Sequence, residues 1–138
     1  MKKKEEVRPH GLTRGQLQVL EACSRRAAGH SLPSLLEGAR EHLRRIEMAA
    51  GKNRLVNLRL AAALHRQFGE MAQHWGEIPG EARPWLAGAV LYFSSEEDDE
   101  PDTVSAIGLE DDLAVFNACL QMARLDRYCL RAEDFDDG

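Results

Sequence analysis

The sequence predicts an all-α protein, a compact bundle of about five helices with an acidic loop between helices 4 and 5. Three observations predict it. Apolar residues recur every three to four positions in five successive stretches, the period of a helix with one buried face. The composition is rich in Ala, Leu, Arg and Glu, whose side chains lose little rotamer freedom in a helix. No run alternates polar and apolar residues with strand period, and no internal repeat occurs. With 138 residues, 43% hydrophobic and 30% charged, the chain holds one domain with a modest core. Aromatic residues make up only 6%, so that core is drawn mainly from Leu, Ala, Val and Ile.

Residues 1–10 are charged, contain Pro9 and lack an apolar period, which predicts a disordered tail ahead of a single helical domain over 11–131. Thr13-Arg14-Gly15-Gln16 has the form of a capping box. Thr13 can accept the backbone N–H three residues on, and Gln16 can reach back to the N-cap N–H. Leu17, Leu20, Cys23 and Ala27 then continue at helical spacing to Gly29. A second helix starts at Ser31 or Leu32, just before Pro33. Its stripe is Leu32, Leu35, Leu36, Ala39, Leu43 and Ile46, opposed by Arg40, Arg44 and Arg45. Gly51 and Asn53 mark its end. The third helix is expected from about Leu55 to Trp75, with Leu58, Ala61, Leu64, Phe68 and Met71 on one face.

Gly76, Pro79 and Gly80 interrupt the pattern. The fourth helix, from about Glu81 to Ser94, is apolar nearly all round and is therefore expected at the centre. The fifth begins near Leu109 and turns Leu113, Phe116, Leu120, Ala123 and Leu125 inward. Residues 132–138 read as a disordered acidic tail.

Charge is distributed unevenly. Up to Phe93 there are 15 Lys and Arg against 9 Asp and Glu; from Ser94 onward there are 3 against 14. Glu96, Glu97, Asp98, Asp99, Glu100, Asp102, Glu110, Asp111 and Asp112 fall in one stretch with no basic residue among them. Such density needs an offset: solvent and salt, a basic neighbour, a helix N-terminus or a divalent cation. One reading places Asp111 and Asp112 in the first turn of the fifth helix, where carboxylates meet orphan N–H groups. A second makes Asp98, Asp102, Asp111 and Asp112 oxygen ligands of Mg²⁺ or Ca²⁺, outside the EF-hand pattern, which fails here because Thr103 and Leu109 stand where Gly and Glu are needed. A third is a docking surface for a basic protein partner, gaining association rate from the concentrated field.

The run Tyr92-Phe93, Asp98, Pro101-Asp102, Gly108, Asp111-Asp112-Leu113 resembles the signature of the YkvA-like family (domain of unknown function 1232), over about residues 83–125. The spacing matches the family pattern without a gap. The resemblance implies a helical fold, no established activity, and recurrent acidic positions at Asp98, Asp102, Asp111 and Asp112. The chain departs from the pattern in carrying Glu96, Glu97, Asp99 and Glu100 where the family is usually apolar, and Ser105 in place of a proline. Those acids direct the segment toward water or a charged partner.

Other signals are weaker. Cys23, Cys119 and Cys129 form no CxxC or zinc spacing and read as packed thiols in a reducing compartment. No apolar leader follows the Lys2-Lys3-Lys4 start. The longest apolar run, Trp85 to Phe93, falls far short of the ~20 residues of a membrane span, so the expected location is cytoplasmic. Arg40, Arg44 and Arg45 could meet phosphates if the first helices formed a helix-turn-helix, but the acidic balance and the lack of a recognition helix make nucleic acid an unlikely partner. Glu70 and His74, four apart, could share a salt bridge, and His42 and His65 read as solvent-facing or hydrogen-bonded helical histidines. No P-loop, nucleophile elbow or HExxH motif occurs. The resulting expectation is a non-enzymatic binding or regulatory module working through 96–112. The competing class is a metal-dependent enzyme acting on phosphates, with Arg83 or Arg124 as clamp.

Overall fold

A computed structural model describes residues 8–52, 57–94 and 106–135. Among these it is helical throughout, with five α-helices: α1 (Arg14–Ala27), α2 (Leu32–Ala50), α3 (Leu58–Gln73), α4 (Arg83–Ser94) and α5 (Ala106–Met122). Short 3-10 turns follow α3 at Trp75–Glu77 and α5 at Asp126–Tyr128 and Ala132–Phe135. The last of these gives backbone structure to the start of a segment whose composition suggested an unstructured tail. No described helix is long and apolar enough to cross a membrane.

The helix starts follow from local chemistry. At α1 the capping box is complete: Gln16 N donates to Thr13 Oγ1 and Thr13 N donates to Gln16 Oε1, both at 3.0 Å. Ser31 caps α2 by accepting from Ser34 N at 3.2 Å, which makes Leu32 the first helical residue and Pro33 the second. α3 starts later than its apolar pattern suggests, because Asn57 Oδ1 accepts from Leu60 N at 3.1 Å and so serves as the cap. Leu55 lies outside the described residues. At the other end α3 stops at Gln73, and Trp75 belongs to the following 3-10 turn.

α5 closes with a Schellman turn. Leu125 N donates to Leu120 O at 2.8 Å, Arg124 N donates to Gln121 O at 3.1 Å, and Arg124 takes a left-handed φ of 62°. Leu125 and Leu120, the apolar pair that accompanies this motif, are both buried.

α4 is central, as its all-round apolar sequence predicts: α1, α2 and α5 all pack on it. On the α1 side the two backbones come very close. A Cβ on Gly88 would collide with Ser24 Oγ and lie 2.9 Å from both Ser24 Cα and Ser24 N, so only glycine fits. Four helices then meet in one ring cluster. His42 of α2 stands edge-on to Phe93 of α4 (5.1 Å, 85°), Phe93 to Phe68 of α3 (5.2 Å, 73°), and Phe68 to Phe116 of α5 (4.8 Å, 82°). His42 is thus a core residue and not a surface one. Its position follows from spacing, since Leu35, Ala39, His42 and Ile46 form the buried face of α2.

Candidate functional site

The acidic region predicted to be functional straddles the junction between α4 and α5. Asp98 and Asp102 lie outside the described residues; Asp111 and Asp112 are described. α5 begins at Ala106, so neither aspartate sits in its first turn, and the dipole-and-cap account of the pair is corrected: they occupy the second turn. Their environments differ sharply. Leu109, Asp112, Leu113 and Phe116 share the buried face of α5, and this places Asp112 in the interior at 2% exposure. Asp111, one position round, is half-buried and accepts a 2.7 Å hydrogen bond from Gln16 Nε2. The same Gln16 that caps α1 through its amide oxygen therefore ties α1 to α5 through its amide nitrogen.

A carboxylate in the interior is costly, because desolvation penalises its charged form. Its presence on a face otherwise made of Leu and Phe separates this junction from an ordinary solvated acidic helix end. Among the described residues, no group of three or more His, Cys, Asp or Glu side chains could hold a metal ion.

The two arginines considered as phosphate clamps lie elsewhere. Arg83 opens α4, and its side chain donates to Trp75 O (3.1 Å) and Gly76 O (3.2 Å), closing the turn after α3. Arg124 lies beyond the C-terminal end of α5. At about 1.5 Å of rise per residue, Arg83 stands roughly 16 Å along α4 from Ser94, and Arg124 roughly 18 Å along α5 from Asp112. The first two helices also differ from a helix-turn-helix, since α1 packs chiefly on α4 and α2 on α3 and α4, and not on each other.

Two further polar arrangements carry no clear sequence signal. The strap after α5 folds back along α3 and α5. Gln67 Nε2 donates to Tyr128 O at 2.7 Å, Asn117 Nδ2 to Leu130 O at 2.8 Å, and Leu130 N to Asn117 Oδ1 at 3.1 Å. Within the strap, the Tyr128 hydroxyl meets His74 Nε2 at 2.8 Å, while His74 Nδ1 meets Glu77 Oε2 at 2.9 Å. The expected Glu70–His74 pair is replaced by these partners. His74 caps the end of α3, where its ring turns toward the 3-10 turn and the strap.

Between α2 and α3, a shallow groove of about 370 Å³ is lined by Pro33, Leu36, Glu37, Arg40, His65 and Gly69. Burial, and next the Arg40 charge, lower the pKa of His65 below its usual 6.5, against a smaller opposing effect of Glu47. Cys23, Cys119 and Cys129 are joined by no disulfide. Burial pushes the Cys119 thiol well above its ordinary value, and Cys129 is raised by burial and by Asp126.

No protein-family model matches the chain, and neither the curated proteins nor the solved structures contain a match to it.

Proposed function

We propose that this chain is a non-enzymatic binding or regulatory module of the YkvA-like kind, whose working surface is the acidic segment 96–112 at the α4–α5 junction. The observation that carries this reading is the placement of Asp112 inside the bundle beside the tied Asp111. An acidic stretch serving solubility alone has no need of a carboxylate on the buried face of a helix. Anchoring one end of the stretch in the core gives a fixed edge from which the remaining acids can present a concentrated negative field. That field suits a basic protein surface, and a divalent cation such as Mg²⁺ or Ca²⁺ is the second ligand class that the carboxylates of Asp98, Asp102, Asp111 and Asp112 would take.

Thermal unfolding with Mg²⁺, Ca²⁺ or Mn²⁺ against chelator tests the cation. An ion present at a hundred times its Kd adds about 2.7 kcal/mol of stability, and Asp98→Asn with Asp102→Asn should abolish the shift. An unchanged melt at millimolar ion removes the cation. The docking surface is tested separately with a cationic protein such as a histone-type polypeptide. Capture should weaken as salt rises and fail when Glu96, Glu97, Asp99 and Glu100 are neutralised. Capture indifferent to those changes would overturn the proposal.

A further inference from the structure

One side of the His74 ring has a fixed direction. A carboxylate can only accept, so Nδ1 carries a proton and donates to Glu77 Oε2 at 2.9 Å. On the other side Nε2 meets the Tyr128 hydroxyl at 2.8 Å; in the neutral ring that nitrogen holds a lone pair and the hydroxyl donates to it. The order is hydroxyl, imidazole base, orienting carboxylate. This is the arrangement that activates a weak oxygen nucleophile: the base stands ready to take the proton, and the third group holds its tautomer and orientation.

The surroundings favour the same chemistry. The Arg127 guanidinium carbon lies 4.8 Å from the centroid of the Tyr128 ring and packs against its face, adding a second contact that holds the ring. Gln67 fixes the Tyr128 backbone through its carbonyl, so the ring does not depend on His74 alone for its position. Tyr128 is half-buried and His74 retains 30% side-chain exposure, so the pair lies at the edge of the bundle and not in its core. The other tyrosine of the chain, Tyr92, is buried.

We infer that Tyr128 is a nucleophilic tyrosine, activated by His74 and positioned through Glu77, that accepts an acyl group from an activated ester or thioester. In that step Tyr128 Oη attacks the carbonyl carbon and forms a new C–O bond. The bond to the leaving alkoxide, phenolate or thiolate breaks, and the hydroxyl proton passes to His74 Nε2 and from there to solvent or the leaving group. The product is an acyl-tyrosine ester, and no oxidant or cofactor enters the balance. This site is independent of the acidic junction, so either proposal can fail alone.

The probe is 4-nitrophenyl acetate, with release of nitrophenolate followed by absorbance and the acetylated residue located by peptide mass spectrometry. The full-length protein should show one rapid equivalent of release and an acetyl group on Tyr128. Tyr128→Phe should lose both. His74→Ala should slow acetylation at least tenfold, less than the roughly 10²–10⁴-fold of enclosed positioned bases because the ring is partly solvated, and added imidazole should restore part of the rate. Glu77→Gln should give a smaller loss, because its carboxylate is well solvated. Matching thermal melts for the variants keep a folding defect distinct from lost reactivity. Acetylation confined to lysines, a Tyr128 rate unaffected by His74→Ala, or no rescue by imidazole would each overturn the assignment.

Discussion

Where α1 crosses α4, Ser24 and Gly88 let two helix backbones approach until no additional atom fits; where the strap lies on α3 and α5, Gln67, His74 and Asn117 hold it by directed hydrogen bonds. The first contact is steric and the second chemical. At the seam, size decides: a methyl group is too much. On the strap, size is tolerated and the loss of one donor or acceptor is felt, because its partner is left half-buried and unmatched. The comparison teaches that this small bundle sets helix spacing by omission of side chains, and chain path by polar groups.

The largest expected effect breaks the seam. Gly88→Ala would gain about 1 kcal/mol of helix propensity, but its Cβ would press on the Ser24 backbone and not merely on a flexible side chain. Overpacking costs about 1–3 kcal/mol and occasionally more, and with unyielding backbone as the obstacle it falls at the upper end, so we expect a net loss of at least about 2 kcal/mol in urea denaturation. Ser24→Ala in the same background should recover only part of it, since Ser24 Cα and N remain in the way. On the strap, Asn117→Ala removes both hydrogen bonds to Leu130 and should cost about 1–2 kcal/mol in the same measurement. The smallest effect has the opposite sign. Arg124→Gly at the left-handed position should stabilise the protein by several tenths of a kcal/mol to about 1 kcal/mol, sharpening the turn that starts the strap. A melting temperature below that of the unaltered chain would show that the Arg124 side chain contributes more than its backbone costs.

The parts of the fold legible in the sequence are those written in neighbouring residues. Thr13 and Gln16 are three apart, and their mutual hydrogen bonds follow from helix geometry alone. The apolar surround of α4 likewise states its central position. Asn57 escaped because apolar Leu55 lies just upstream and extends the periodic pattern past the true cap. α5 includes Ala106, ahead of the start near Leu109 that the apolar pattern suggests, so Asp111 and Asp112 fall past its first turn. Residue type alone suggests a helix start or a cation ligand for Asp112 and a solvent-facing or hydrogen-bonded ring for His42, whereas spacing on their helices places both on the buried face. Of the acidic constellation, Asp111 and Asp112 can be placed, while Asp98 and Asp102 fall outside the described residues. Tyr128 and His74 are 54 positions apart, and no periodicity links residues brought together by a reversal of the chain after α5.

The ring cluster of His42, Phe68, Phe93 and Phe116 has a consequence for how the molecule comes apart. Each ring belongs to a different helix and the contacts run from His42 through Phe93 and Phe68 to Phe116, so detaching α3 or α4 breaks two of the three ring contacts and detaching α2 or α5 breaks one. Every partial opening therefore costs the cluster at least one contact. Backbone amides along these four helices should exchange with solvent at a common free energy, and fragments ending between them should not fold alone.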